Sequence, residues 1–249
     1  MKSITGLTAT QVHVLADEIA QGTRVPGLPP MIDIREGMII TLIYLRTNRT
    51  QADIAHTWGI SQPTVSRTIS AMTVAFTIVL ADLVPTLDEV PTDTGYIIDG
   101  SLLPCWSWSD RPELYSGKHH TTGVNVQFLA SLTGTLHWVS DPLPGSTHDV
   151  IALDTHNVLT GFDPSQIVAD KGYVGRGLLT PTKRLANNPL TDSQKTTNRD
   201  INQIRWIIEQ TIAHFKTWKI THTDYRRPYD TFATTITAVI GLHFYTASE

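Results

Sequence analysis

A single cysteine, Cys105, stands among 249 residues. No intramolecular disulfide framework can form, and the composition fits a reducing compartment. Charged residues are sparse at 17%, and the net charge is −4, so the chain is not a uniformly basic protein that coats nucleic acid. Neither a GxGxxG fingerprint nor a P-loop is present. No apolar run reads as a membrane span. The most lipid-like stretch, TFATTITAVIGLHFYTA (231–247), holds five threonines and a histidine and reads as a buried helix. The opening MKSITGLTATQ lacks the apolar core of a secretory signal. What remains is ordinary globular composition, 41% hydrophobic, enough for one large domain or a medium domain plus a small one.

Charge distribution says more than net charge. Between Lys171 and Arg227 eleven Lys/Arg face four acids, +7 inside an acidic protein. A local basic stretch is the footprint of a polyanion partner or of a merely solvated surface. Residues 1–80 carry helical periodicity. In GLTATQVHVLADEIAQG, Thr8 is an N-cap, positions 12, 15 and 19 are apolar, and Gly22 is a stop. The stretch ADLVPTLDEVPTDTG (81–95) reads as a linker, with a boundary near residue 90. The predicted division is a helical domain over 1–90 and a second domain over 91–249. There the period changes. Strand-like runs occupy 94–103, 121–132 and 135–143, with a Thr133-Gly134 turn between the last two. A helix is predicted over 146–159, a short buried strand over 165–173, a polar loop over 187–198 and a helix from about 200 to 217. That order gives an α/β mixed sheet: an antiparallel meander, then a crossover to a further strand.

The segment QADIAHTWGISQPTVSRTIS (51–70) has helix-turn-helix spacing. Ala55 is small where two helices touch, Gly59 sits in the turn, and Val65 is apolar where the second helix is pinned. Ser61 would cap that second helix, with Pro63 in its first turn. Gln62, Thr64, Ser66 and Arg67 are the types that read base edges and phosphates. An ordinary helical hairpin is the alternative. By itself the motif indicates DNA association, as in a transcription regulator.

Two carboxylates follow apolar runs and precede glycine: Asp99 in YIIDGSLLPCW and Asp170 in QIVADKGY. Each would project from a strand end. Asp99-Gly100 also suits a hairpin turn, and Asp170 could pair with Lys171. In NQIRWIIEQTIAHFK, residues Asn202, Arg205, Glu209 and Lys216 fall within about 60° of one helix face. The apolar set Ile201, Ile204, Ile208, Ile212 and Phe215 spans about 80° roughly a quarter turn away. An Arg205–Glu209 surface pair is worth only about 0.3–0.5 kcal/mol. Three carboxylates from two strands and one helix suit hard divalent cations such as Mg²⁺, and two such ions suit phosphodiester chemistry. His119-His120 and His148-Asp149 lack the partner spacing of a zinc site. Trp106 and Trp108 flank a polar loop, with packing favoured over base stacking.

Together the helix-turn-helix, the Asp99-Gly100 strand, YSGKHHTTGVNVQ (115–127), PGSTHD (144–149), ADKGY (169–173) and the Arg205/Glu209/Lys216 register resemble the DDE transposases of bacterial insertion sequences, in the Harbinger-related group of DDE superfamily endonucleases. The resemblance covers nearly the whole chain. It implies a ribonuclease-H-like catalytic domain preceded by an all-α helix-turn-helix domain. It implies Asp99, Asp170 and Glu209 as catalytic metal ligands, holding two Mg²⁺ (or Mn²⁺). Asp149 also matches a family motif and is an accessory or alternative ligand. The DNA-contacting set becomes Gln62, Thr64, Ser66, Arg67, Lys118, His119, Lys171, Arg205 and Lys216. The implied partners are double-stranded DNA, as terminal inverted repeats and target, and further copies of the chain assembled on it. No membrane is involved, and the location is cytoplasmic, on the bacterial nucleoid. Asn202 stands where the family's helix signature has Tyr. The alternative is a domesticated DNA-binding regulator with an inactive nuclease-like domain. A metal-dependent phosphohydrolase is a third reading, and it leaves the helix-turn-helix without a task.

Overall fold

The structure is a computed structural model describing residues 1–22, 25–106, 110–184 and 189–247. Trp108 and the start of the 187–198 loop lie outside the described residues. The chain divides into two compact units, Met1–Val84 with Lys216–Glu249, and Pro85–Phe215.

The first unit is helical. α1 (Lys2–Thr5) and α2 (Ala9–Gln21) lead to α3 (Ile34–Thr47), α4 (Gln51–Trp58) and α5 (Gln62–Val79). Caps set the starts. Thr8 and Gln11 form a reciprocal capping box on α2, and the side chains of Asp33, Thr50 and Ser61 cap α3, α4 and α5. Gly59 stops α4 at φ 65, a left-handed conformation that favours glycine. Ala55 and Val65 are buried as the helix-turn-helix spacing requires.

The C-terminal segment returns to this unit. α8 (Phe232–Ala247) is buried along Phe232, Ile236, Val239 and Leu242 and packs with α5. The sequence division puts everything after residue 90 in one domain; by compactness the segment from Lys216 onward groups with the N-terminal helices. The physical reason is α8 itself. A helix apolar round most of its circumference needs burial on most sides. Among the described residues no helix is long and apolar enough to cross a membrane. The basic stretch is also partly internal. Arg226 donates to Asn48, and buried Arg227 donates to Ser70 Oγ.

The second unit carries the sheet. β1 (Tyr96–Pro104), β2 (Tyr115–Ser116), β3 (Thr121–Ser131), β4 (Leu136–Val139) and β5 (Leu143–Pro144) precede α6 (Asp149–Thr155), β6 (Ile167–Val168) and α7 (Asp192–Phe215). β3 pairs antiparallel with β1 and β4, and β6 pairs parallel with β1. The β3–β4 turn uses Gly134 at φ 91, and Thr211 of α7 donates to its carbonyl at 3.0 Å. The predicted helix over 146–159 shortens to α6, and the strand over 165–173 to the two residues of β6. α7 starts eight residues before the expected position. Thr191 and Gln194 bond reciprocally as a capping box, which nucleates helix inside the apparent polar loop. α6 covers one sheet face, where Ile98, Leu129, Trp138, Leu153 and Tyr173 form a buried cluster. On the opposite face Phe215 of α7 packs edge-on against Phe128, with ring centroids 5.1 Å apart.

Gly241 lies in the middle of α8, where a Cβ would come within 2.8 Å of Leu80 Cβ. Alanine is the better helix former by about 1 kcal/mol, yet overpacking costs about 1–3 kcal/mol. Gly241→Ala is therefore expected to lower Tm by a few degrees in a thermal melt. A raised Tm would show that α8 and the end of α5 do not approach this closely.

Candidate active site

Asp99 is not at a strand end, as expected from its sequence, but inside β1. Antiparallel pairing with β3 runs from Tyr96↔Ser131 to Pro104↔Gly123, with Asp99 opposite Phe128. This excludes the hairpin reading of Asp99-Gly100. The parallel partner is shorter. β6 pairs only Tyr96↔Ile167 and Ile97↔Val168. Two residues beyond that last pair, on each strand, come Asp99 and Asp170. The short ladder delivers both carboxylates to one place, and their mutual repulsion is felt at Asp99. Asp170 also caps the turn Lys171–Tyr173 through Gly172 N–H, and Lys171 is exposed.

α7 supplies the third element. Arg205 Nη2 lies 3.4 Å from Asp99 Oδ2 and 4.0 Å from Glu209 Oε1. Arg205 thus stands between the two carboxylates. Asp99 and Arg205 are mostly covered, at 14% and 17% exposure, whereas Glu209 is 58% exposed. Among the described residues the Nε of Arg205 is buried without a partner, a donor that an anionic group could satisfy. Asn202 is exposed on the same helix. Lys216 follows the last residue of α7 and opens the returning segment.

Asp149 opens α6 on the other side of the strand. Side chains alternate across a sheet, and Asp99 faces α7 through Arg205. A Cβ on Gly100, pointing the opposite way, would collide with Asp149 Oδ1 and Gln127 Nε2. Asp149 Oδ1 accepts from Asn125 Nδ2 at 3.0 Å, and its Oδ2 from Lys118 Nζ at 2.9 Å. The chain of bonds continues inward. Gln127 Nε2 donates to Asn125 Oδ1 at 2.8 Å, and the buried Tyr173 hydroxyl donates to Gln127 Oε1. Burial above all, then the nearby carboxylates, hold that hydroxyl protonated. This network ties YSGKHH, VNVQ, PGSTHD and ADKGY into one structure. Sequence reasoning missed Asn125, Gln127 and Tyr173. A signal existed: in the otherwise apolar run 124–130 the polar residues at 125 and 127 share one face at period two.

The charge balance is uneven. Burial, with the carboxylates of Asp170 and Asp149, pushes Asp99 up to about 6, against the opposing pull of Arg205 and Lys118. Burial also works against charge on Lys118, but its bond to Asp149 and the three carboxylates win and raise its pKa. Among the described residues no three His, Cys, Asp or Glu side chains converge closely enough to hold one metal ion. The donor set nevertheless suits a hard cation. All the acids are oxygen ligands, and Arg205 and Lys118 offset only part of the cost of ionising Asp99.

The helix-turn-helix face differs from expectation at one residue. Gln62 and Arg67 are exposed and Ser66 is half-buried, but Thr64 is buried. Thr64 lies on the inward side of the first turn, where its N–H and hydroxyl both meet the capping Ser61 side chain. Gln62 donates to Gln51 across the turn at 2.8 Å. His119 is exposed beside Lys118.

Known proteins resemble the chain in both units. Residues 98–243 match the family described as DDE superfamily endonuclease, and residues 30–81 match the helix-turn-helix of DDE superfamily endonuclease. A putative transposase for insertion sequence element IS112 of Streptomyces albus G is 28% identical over 216 residues, covering 84% of this chain and 78% of that protein. A probable transposase for insertion sequence element IS702 of Microchaete diplosiphon is 24% identical over 246 residues, covering 93% and 87%. The first match spans more than half the chain, including Asp99, Asp170 and Glu209. The chain belongs to the DDE superfamily endonucleases.

Proposed function

We propose that the protein is the DNA transposase of a bacterial insertion sequence, acting at the nucleoid, and that Asp99, Asp170 and Glu209 are its catalytic carboxylates. The observation that carries this reading is the adjacency of Asp99 and Asp170 at the end of a parallel ladder, with Arg205 of α7 linking Asp99 to Glu209. The three-stranded meander with a parallel strand beside its first member supports a ribonuclease-H-like domain. The two family matches support a division into a reading module and a cutting module.

Divalent cations, two Mg²⁺ or Mn²⁺ held by the three carboxylates, would supply the charge that activates an attacking oxygen and stabilises the departing one. The chain's own residues perform the rest. α5 enters the major groove of the element's terminal inverted repeat, with Gln62, Ser66 and Arg67 toward base edges and phosphates. Arg205 orients the scissile phosphate, and Lys118, His119 and Lys171 contact the backbone around it; Lys216 is a further DNA contact. Water first cleaves the phosphodiester at the element's end. The freed 3′ oxygen then attacks a target phosphorus, forming a new P–O bond that joins element to target while the bond from that phosphorus to the target's own 3′ oxygen breaks and leaves a target 3′ hydroxyl. Two ends require two active sites, so copies of the chain assemble on the DNA.

Incubating the protein with DNA that carries the element's ends, with and without Mg²⁺ or Mn²⁺, tests the reading. Metal-dependent nicking at the ends is expected. Binding without cleavage in either metal would leave a DNA-binding protein with an inactive nuclease-like domain.

Asp99→Asn is expected to lower cleavage by about 100-fold or more while stabilising the metal-free protein. The sign follows from a carboxyl raised to about 6 in the fold against about 4 when unfolded. Its ionisation costs stability, fully above pH 6 and not at all below pH 4. Melts in EDTA should show a higher Tm for Asp99→Asn at pH 8, and the difference should shrink as the pH falls through that window. A variant that is less stable at pH 8 would contradict the buried-charge account. In the helix-turn-helix, Arg67→Ala should weaken end binding about tenfold with little change in Tm. Thr64→Ala should instead lower Tm with affinity kept, as gel-shift and melting measurements would distinguish.

A further inference from the structure

The PGSTHD and YSGKHH segments meet at a cavity of about 220 Å³. Gly100, Lys118, His119, His148 and Asp149 are among its lining residues. This is smaller than the roughly 300 Å³ at which drug-sized ligand sites begin. Its walls carry a lysine and two histidines beside one carboxylate, Asp149, and the two Lys118 donors left by the Asp149 bond are what an anionic oxygen would meet.

One feature sets Asp149 apart from Asp99. Hydrogen bonding does not, since Asn125 and Lys118 engage the oxygens of Asp149 and Gly100 N–H and Arg205 engage those of Asp99. The side of the strand does: Asp149 packs over the open face of Gly100, whereas Asp99 projects toward α7 on the opposite face. An ion shared by Asp99 and Asp149 would have to reach across the strand. Lys118 differs. It is 57% exposed, an ammonium has three donors, and the bond to Asp149 uses one. A lysine stem is rich in rotamer entropy, so a fixed carboxylate at its tip orders it before a ligand arrives.

We propose that Asp149 is a positioning residue rather than a metal ligand: it aims Lys118 into the cavity, which takes a backbone phosphate of the bound DNA strand beside the scissile one. The buried chain Tyr173–Gln127–Asn125–Asp149 sets the position of the clamp relative to β3 and the ADKGY turn. This rests on the DNA-cutting reading above and adds to it a second phosphate subsite.

The test uses the full chain in EDTA and a fluorescein-labelled 25-base-pair duplex with a single-stranded tail, read by anisotropy across a salt series. Lys118→Ala should weaken binding about three- to tenfold and reduce the salt slope by about one. Lys118→Arg should keep both. Asp149→Asn should reproduce the Lys118→Ala loss, and the double variant should bind no worse than either single. Calorimetric titration of Mn²⁺ into the DNA-free protein should give Asp149→Asn the parent isotherm, whereas Asp99→Asn should lose it. The proposal is overturned if Lys118→Ala binds like the parent, if the two losses multiply, or if Asp149→Asn keeps DNA affinity and loses Mn²⁺. A parent protein that binds no DNA at low salt would overturn the DNA-cutting reading itself, and the subsite with it.

Discussion

A parallel ladder of two residue pairs decides where the acids of the site stand. β6 contributes only Ile167 and Val168, buried against Tyr96 and Ile97, and then the chain turns away. Because pairing stops there, the next polar residue on each strand is free of the ladder yet still fixed by it. Apolar packing holds the strands, and the carboxylates inherit their separation from the strand spacing. Lengthening β6 would draw Asp170 into the sheet, and loss of the ladder would leave it on a loop of undefined position.

Such placement has a cost, and the neighbouring residues show how it is distributed. Burying a carboxylate near two others is unfavourable, which is why Asp99 is pushed up to about 6. Arg205 offsets part of that, and Lys118 a smaller part. Gly100 offers no Cβ, and so lets Asp149 and Gln127 close against the strand. A larger residue there would push α6 outward and separate the acids. The uncompensated negative charge that destabilises the free fold is the property a cation-using site needs. Stability and chemistry therefore pull in opposite directions at Asp99, and the apolar cluster beneath α6 offsets the difference.

Much of this was legible in the sequence because it was written in short-range signals. The helix-turn-helix followed from three positions, Ala55, Gly59 and Val65, whose sizes are dictated by one tight helix crossing. The meander followed from alternation and one Thr-Gly turn. The acids followed from apolar runs interrupted by carboxylates. Illegible features were those set by partners distant in sequence. Thr64 looked like a base-reading residue, but its orientation depends on the cap at Ser61 and on the helix packed beside it. Arg226 and Arg227 counted as basic surface until Asn48 and Ser70, far earlier in the chain, claimed them. The early start of α7 was a local signal overlooked: Thr191 and Gln194 have capping-box spacing, hidden by the polarity around them.

The position of Asp149 shows how two acids near in space can serve different ends. Charge alone does not distinguish them, since both Asp149 and Asp170 raise the pKa of Asp99. The strand pleat does. Asp99 shares a face with α7 and Glu209, whereas Asp149 belongs to the α6 face, where donors from Asn125 and Lys118 already engage both its oxygens. On that face its nearest cation is the Lys118 ammonium, which a carboxylate set at the start of α6 can hold in one place. Asp170 uses one oxygen to cap a short turn and lies where the parallel ladder releases it. On the proposed reading, position relative to the pleat separates the anchoring acid from the ligating ones.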